Sequence, residues 1–164
     1  MSNPPVRVGI LMGSASDAPT MYRASDTLEG LGIGCEMKVA SAHRTPERVR
    51  EYCRTAPERG LKVIIAAAGM SAHLAGVVAA LTHLPVLGVP MEGKLAGGLD
   101  AVLSMCNMPR GVPVATMSLG SHGAVNAALF AAAILALEDE GVRDRLLAYR
   151  QQQSEQTSQE VPPR

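Results

Sequence analysis

The chain has 164 residues, of which 47% are hydrophobic and 2% aromatic, and its 15 basic and 15 acidic residues give a formal net charge of zero. This is the size of one ordinary domain with its own core, so a second folded domain is not expected. Because no stripe of lysine or arginine stands out, the composition argues against nucleic acid or a lipid surface as the main partner and favours a small ligand.

Strand-like and helix-like segments alternate along the chain. Apolar, β-rich runs predict strands at 6–12, 35–40, 62–68, 85–90 and 112–117. Apolar residues at helical spacing predict helices at 17–31, 45–56, 71–81 and 124–137. This alternation with short loops predicts an α/β fold, a flavodoxin-like three-layer α/β/α sandwich with a central parallel sheet. We assign 1–150 to a single α/β domain and expect the polar tail 151–164 to be disordered or loosely docked.

The segment 124–137 is almost wholly apolar but shorter than the ~20 residues that span a bilayer. We therefore predict a buried helix and no membrane insertion. A helix that is apolar on every face must be covered on every face. With so few aromatic residues in the chain, neighbouring subunits are expected to provide that cover, which predicts a homo-oligomer with Ala128 and Ala132 in its interface.

The cysteines and histidines limit which metal chemistry and which cellular compartment the sequence allows. The three cysteines show neither C-x-x-C spacing nor the density of a disulfide scaffold, so we expect thiols in the cytoplasm. The first residues, M-S-N-P-P-V-R, lack the basic and apolar regions of an ordinary signal peptide. The four histidines show no H-x-x-x-H spacing or His/Cys pairing, so no metal is predicted; His83 and His122 are interpreted as structural or peripheral.

In an open parallel sheet, ligands bind beyond the carboxyl ends of the strands. The first such loop, G-S-A-S-D at 13–17, is neither G-x-G-x-x-G nor a Walker loop. A glycine, two hydroxyls and a helix N-terminus suit a phosphate monoester, with Ser14 and Ser16 as donors. The alternative is that Ser16 or Asp17 serves only as a helix cap.

The second loop, S-A-H-R-T-P-E-R at 41–48, follows a predicted strand. Ser41 and Thr45 can cap the next helix, and Arg44 offers a planar fork for phosphate or carboxylate. His43 belongs to the one side-chain type that titrates near neutral pH. An isolated H-R pair would be read as a polar loop, but its position at a strand's carboxyl end favours a site.

The third and fourth loops add further candidates. In A-A-G-M-S-A-H-L-A-G at 67–76, Gly69 permits close approach of the backbone, and His73 falls in the first turn of a helix. The alternative for His73 is a ring that packs and hydrogen-bonds locally. The Gly-rich loop at 90–100 is predicted to be a mobile flap, and 107–113 supplies a turn with another arginine; either could close over a ligand.

These motifs together carry a resemblance that extends from about Val6 to Leu137. They are M-G-S-A-S-D, V-A-S-A-H-R-T-P, A-G-M-S-A-H-L-A-G, L-P-V-L-G-V-P, M-P-R-G-V-P-V-A-T and N-A-A-L-F-A-A. In combination they resemble the N5-carboxyaminoimidazole ribonucleotide mutase family of purine biosynthesis. The resemblance implies a reaction without cofactor or metal, in which a carboxylate moves from the exocyclic nitrogen of an aminoimidazole ribonucleotide to ring carbon C4.

The resemblance also implies residue roles and an assembly. Ser14, Asp17 and Arg44 match the family's ribonucleotide-binding positions, and His43 matches its essential acid/base. The other expected substrate-binding positions are Ser16, Ser41, Ala42, Gly69, Met70, Ser71, His73 and Leu74. The family forms an octamer of square symmetry, with active sites where subunits meet.

Some positions of the chain depart from the family pattern. The family's third loop usually reads G-A-G-G-A-A-H-L-P-G, whereas here Met70 replaces a glycine, Ser71 an alanine and Ala75 the proline. Asn107 stands in place of the glutamine of the Q-M-P motif. These changes bear on the shape of the CO2 pocket.

The first alternative is a related branch that carboxylates aminoimidazole ribonucleotide directly with CO2. Its loops carry S-A-H-K and lack the third-loop histidine, so Arg44 and His73 favour the mutase. The second alternative is a flavodoxin-like module that only binds a nucleotide or flavin. The scarcity of aromatic residues weakens the flavin version, because the chain has no Trp and only three Tyr that could stack on an isoalloxazine ring.

Overall fold

The computed structural model describes residues 4–157. Its strands are β1 Val6–Met12, β2 Gly34–Val39, β3 Val63–Ala68, β4 Val86–Pro90 and β5 Ala115–Thr116. Its α-helices are α1 Ala18–Gly30, α2 Pro46–Thr55, α3 Leu74–Leu81, α4 Leu99–Cys106, α5 Gly120–Leu135 and α6 Glu140–Gln156. Pro46 is the first residue of α2, where a missing N–H leaves no helical hydrogen bond unmade.

The strands form one five-stranded sheet in the order β2-β1-β3-β4-β5, and each neighbouring pair is parallel. This strand order is that of flavodoxin-like doubly wound sheets. The central strand β3, V-I-I-A-A-A, is buried along its whole length, as expected of a strand covered by helices on both faces. The predicted flavodoxin-like α/β fold is therefore confirmed.

Two hydrophobic clusters lie on opposite faces of the sheet. The first contains buried residues of α1, α5 and α6, and the second contains those of α2, α3 and α4. Successive residues of β1 divide between them, Ile10 facing the first cluster and Leu11 the second, because side chains alternate across a strand. The result is the predicted three-layer sandwich.

Helix α5 corrects part of the interface prediction. Ala128 and Ala132 are 0% exposed within the single chain, where they belong to the core cluster shared with α1 and the sheet. Their small side chains let α5 lie close to its neighbours inside the chain, so the expectation that they form a subunit interface is wrong. The outward-facing Phe130, by contrast, is 47% exposed.

Two helices were not expected from the sequence. Helix α4 begins directly after the Gly-rich stretch that was interpreted as a flap, and α6 continues through Gln156 into the predicted tail. The Asp139 carboxylate caps α6 by accepting a hydrogen bond from the Val142 N–H at 3.0 Å. The side chains of 151–157 are all exposed, and the remaining tail residues, 158–164, lie outside the described part of the chain.

The glycine-rich stretch before α4 has a definite structural role. Gly98 adopts a positive φ of 109°, and a Cβ at this position would lie 2.8 Å from the carbonyl oxygen of Met91. Glycine is therefore required for α4 to begin close to the end of β4. Within residues 4–157, no helix is both long and apolar enough to cross a membrane.

Candidate active site

A cavity of about 640 Å³ lies at the carboxyl ends of the strands; we call it the carboxyl-end cavity. Every site residue predicted from the sequence lines it: Ser14, Ser16, Asp17, Ser41, Ala42, His43, Arg44, Gly69, Met70, Ser71, His73 and Leu74. Gly13, Ala68, Met91 and Glu92 line it as well. The loops after four different strands thus meet at one place, as a parallel sheet requires.

The loop after β1 forms a tight turn that lines the cavity. Ser14 caps a short 3₁₀ turn, Ala15–Asp17, by accepting a hydrogen bond from the Ser16 N–H at 3.3 Å. The Asp17 carboxylate in turn accepts from the Ser14 N–H at 3.2 Å. Ser14 is therefore the capping residue, whereas Asp17 stands at the N-cap position of α1 without a side-chain cap hydrogen bond. Ser14, Ser16 and Asp17 all line the cavity.

Burial acts on the Asp17 carboxyl group. Desolvation raises the pKa of Asp17 above its ordinary value, while hydrogen bonds from Ser14 and Ser16 and the charge of Arg44 pull the pKa down. Desolvation is the largest of these effects, so the charged form of Asp17 is less favourable in the folded chain than in water. A ligand that donates a hydrogen bond to this carboxylate would offset part of that cost.

The loop after β2 holds Arg44 in place. Ser41 is buried, and its N–H donates to Thr45 Oγ1 at 2.9 Å, which fixes the turn before α2. The Arg44 guanidinium donates from Nη2 to the carbonyl oxygen of Gly13 at 2.7 Å, and from Nε to Ser41 Oγ at 3.4 Å. Neutral acceptors therefore orient the guanidinium and leave its charge available to an anionic ligand.

His43 pairs with the histidine of the third loop. His43 Nε2 lies 2.9 Å from His73 Nδ1, and the two rings meet edge to face at a centroid separation of 5.0 Å. A hydrogen bond of this kind requires one nitrogen to donate and the other to accept, so the tautomers of the two rings are coupled. Both side chains are exposed to the cavity, and His73 occupies the cap position directly before α3.

The loop after β3 has an unusual backbone. Met70 adopts a φ of 59°, in the left-handed region that residues with a β-carbon rarely occupy. Its side chain is 75% exposed although it lines the cavity. Beside it, a Cβ on Gly69 would lie 3.4 Å from the Cβ of Met91, so this stretch passes close to the end of β4.

Two lining residues just after β4, Met91 and Glu92, were not among the site residues predicted from the sequence. Met91 is buried, whereas the exposed Glu92 places its carboxylate near the first residue of α5, where a Cβ on Gly120 would lie 2.8 Å from Glu92 Oε1. Both residues directly follow a parallel strand. The rule that located the other loops would have found them if the fourth loop had not been interpreted only as a flap.

The cavity combines three chemical capabilities. Arg44 and the hydroxyls of Ser14 and Ser16 can bind an anion, the paired histidines can hold or transfer a proton, and Asp17 and Glu92 can accept hydrogen bonds from hydroxyl or amino groups. No group of three or more His, Cys, Asp or Glu side chains within residues 4–157 is arranged to hold a metal ion.

The fold and the cavity define a doubly wound α/β protein with a polar small-molecule site at the carboxyl ends of its strands. The chain belongs to the AIR carboxylase family, whose model matches residues 7–156. It is 51% identical over 154 residues to an N5-carboxyaminoimidazole ribonucleotide mutase of Brucella melitensis, covering 94% of this chain and 95% of the relative. It is 55% identical over 150 residues to a mutase of the same name from Bacillus subtilis, covering 92% of each.

A solved structure has the same fold. The crystal structure of Treponema denticola PurE superposes with a TM-score of 0.82 at 29% sequence identity, covering 90% of this chain and 91% of that chain. The structural match therefore covers most of the length of both chains.

Proposed function

We propose that this chain is an isomerase of purine biosynthesis that converts N5-carboxyaminoimidazole ribonucleotide to 4-carboxyaminoimidazole ribonucleotide. Relatives that are about half identical over nearly the whole chain carry the mutase name. The observation that carries the proposal is the convergence of His43 and Arg44 with His73 in one cavity, His43 Nε2 lying 2.9 Å from His73 Nδ1.

Ribonucleotide binding is assigned to the first two loops. The 5′-phosphate is bound by Arg44 and by the hydroxyls of Ser14 and Ser16, which lie in the turn directly before α1. Asp17 accepts a hydrogen bond from a ribose hydroxyl, which compensates for the desolvation of its carboxylate. These contacts bind and orient the substrate without taking part in bond breaking.

His43 is assigned the proton transfers. In the first step, the bond between the exocyclic nitrogen and the carboxylate carbon breaks, CO2 is released, and His43 gives a proton to that nitrogen. In the second step, C4 of the imidazole bonds to CO2, and His43 removes the C4 proton and so regains its starting state. A positioned histidine can serve both steps, since it acts first as acid and then as base.

His73 is assigned to positioning His43. Its Nδ1 lies within hydrogen-bond distance of His43 Nε2 and so selects the tautomer and ring orientation of the acid/base. The third loop holds His73 at the start of α3, because the backbone N–H of His73 donates to the carbonyl oxygen of Ser71 at 2.8 Å. The third loop therefore contributes indirectly to the proton transfers.

Direct carboxylation of aminoimidazole ribonucleotide is the competing enzymatic function, since the family to which the chain belongs is named AIR carboxylase. Two assays run in parallel separate the alternatives. We expect rapid formation of the 4-carboxy product from N5-carboxyaminoimidazole ribonucleotide, and slow formation from aminoimidazole ribonucleotide plus bicarbonate. The reverse order of rates would assign the carboxylase instead, and binding without turnover in either assay would leave a nucleotide-binding module.

We further infer a cytoplasmic homo-oligomer, an octamer as the resemblance implies. The proposal is supported by apolar side chains on the outer surface: Leu99 and Leu103, one turn apart on α4, are 50% and 55% exposed, and Phe130 is 47% exposed. Large exposed apolar side chains that lie near one another are typical of protein interfaces. Light scattering tests this: we expect an oligomer that Leu103→Glu dissociates, and a stable, active monomer of the unmodified chain would refute it.

A further inference from the structure

Met70 combines two features that are unfavourable for the isolated chain. Its φ of 59° makes it, with Ala96, one of two non-glycine residues of positive φ in the described part of the chain, 4–157. Its apolar side chain is also 75% exposed. Packing within the chain does not account for this exposure, because the rest of the chain covers only about a quarter of the surface of Met70.

The position of Met70 indicates a role at the carboxyl-end cavity. It lines the mouth of the carboxyl-end cavity, next to Ser71 and on the same loop as His73. Strained backbone conformations persist where the surrounding structure maintains them, and they cluster at sites that bind ligands. Methionine is unbranched, flexible and polarisable, so its side chain can adapt to a surface that is present only when ligand is bound.

The proposed reaction requires a cover at this place. Between its two steps, free CO2 must stay beside C4 while the exocyclic nitrogen already carries its proton. CO2 that leaves at this point is lost to solvent, and the ribonucleotide remains as aminoimidazole ribonucleotide. An apolar side chain at the mouth hinders both the escape of CO2 and the entry of water. The family motif has a glycine at this position, which offers no side chain for this purpose.

We propose that Met70 closes the mouth of the carboxyl-end cavity over bound substrate and retains CO2 between the two steps. This inference rests on the proposed mutase function. Its consequence is that the side chain of residue 70 governs how often CO2 escapes in each turnover, and affects the binding of the ribonucleotide itself much less.

Isotope exchange under single-turnover conditions tests the proposal. Unlabelled N5-carboxyaminoimidazole ribonucleotide is mixed with excess protein in buffer that contains ¹³C-bicarbonate and carbonic anhydrase. Two quantities are measured by mass spectrometry: the labelled fraction of the 4-carboxy product and the amount of aminoimidazole ribonucleotide. We expect Met70→Ala and Met70→Gly to raise both several-fold, and Met70→Leu, which keeps an apolar side chain of similar size, to stay near the unmodified protein.

Ala96→Gly is the matched control for backbone strain. Ala96 also has a positive φ, of 45°, but does not line the cavity. This variant should relax the backbone in the same sense as Met70→Gly without increasing label incorporation. An equal increase in Ala96→Gly would mean that loosening of the loops, rather than loss of the methionine side chain, lets CO2 escape, and would overturn the proposal.

The failure of this inference is distinguishable from failure of the proposed function. Suppose that the unmodified protein turns over the carboxyamino substrate and that Met70→Ala incorporates no more label than the unmodified protein. Met70 is then not the cover of the cavity, although the mutase function stands. If the unmodified protein does not turn over that substrate, the proposed function itself is wrong, and the inference is overturned with it.

Discussion

Two cavities of nearly equal volume lie at opposite ends of the sheet. The carboxyl-end cavity has a volume of about 640 Å³ and the second, which we call the amino-end cavity, about 630 Å³. The amino-end cavity is lined by Arg7, Lys62 and the stretch 134–140, apart from Ala136. There Arg7 Nη1 donates to Asp139 Oδ2 at 2.7 Å, so cation and anion neutralise each other.

The carboxyl-end cavity uses its arginine differently. Arg44 donates to the carbonyl oxygen of Gly13 and to the hydroxyl of Ser41, and both acceptors are neutral. A guanidinium oriented by neutral acceptors keeps its charge for a ligand, whereas one paired with a carboxylate does not. The two cavities therefore hardly differ in size, but they differ in the hydrogen-bond partners of their arginines.

The largest expected effect follows from replacing His43 by Asn. Loss of the only proton-transferring group assigned to the reaction should lower turnover by about 10²–10⁴-fold. The fold and ribonucleotide binding should stay largely intact, because the side chain is exposed. His83→Asn, an exposed histidine that does not line the carboxyl-end cavity, is the control and should turn over normally. Near-normal turnover in His43→Asn would rule out this mechanism.

Arginine-to-lysine changes in the two cavities test the comparison itself. Arg44→Lys keeps the charge but loses the planar fork, and a hydrogen bond to a charged group contributes about 1.5–3 kcal/mol, so affinity for the product should fall about tenfold or more. Arg7→Lys disturbs the pair with Asp139 and should leave affinity unchanged. Calorimetry with 4-carboxyaminoimidazole ribonucleotide measures both, and equal affinities of the two variants would remove the distinction between the cavities.

Replacing His73 by Phe should have a smaller effect. The change removes the 2.9 Å contact with His43 Nε2, and one neutral hydrogen bond contributes about 0.5–1.5 kcal/mol, or up to about tenfold in rate. We expect kcat to fall with little change in KM, because the ring orientation and tautomer of His43 are no longer fixed by its partner. An unchanged kcat would assign His73 a packing role alone.

The smallest expected effect concerns stability against pH. Burial raises the pKa of Asp17 in the folded chain, so protonation of Asp17 stabilises the fold. This contribution to the free energy of unfolding is fully present below the ordinary pKa of 3.8 and is lost as pH rises through the raised pKa. Asp17→Asn should therefore melt slightly higher than the unmodified protein at neutral pH, with the difference vanishing in acid. Thermal melting across pH measures this, and a lower melting temperature at neutral pH would contradict it.

The sequence predicted the strands and the candidate site for one physical reason. Strands buried on both faces must be continuous apolar runs, and the 62–68 run became β3 within one residue of its predicted start. Once the strands were known, the loops after them had to converge, so His43 and His73 could be predicted to share a site although they lie far apart in sequence. Their direct contact depends on side-chain placement and could not be predicted.

Other elements escaped prediction because their local signals pointed elsewhere. Helix α4 follows Gly97 and Gly98, which suggest a flexible loop until the close approach to Met91 is known. The last turns of α6 are polar and exposed, so they show no apolar periodicity, although Val142 and Leu146 anchor the beginning of the helix in the core. The subunit interface predicted for α5 was wrong for another reason: the alanine face of this helix is buried against other elements of the same chain.

Amide hydrogen exchange with and without 4-carboxyaminoimidazole ribonucleotide tests the central claim most directly, because it reports on both cavities in one experiment. The account predicts that bound product slows exchange at 13–17, 41–45 and 69–74, which contribute to the carboxyl-end cavity, and leaves 134–140 at the amino-end cavity unchanged. Protection at 134–140 without protection at 41–45 would contradict the assignment of the active site.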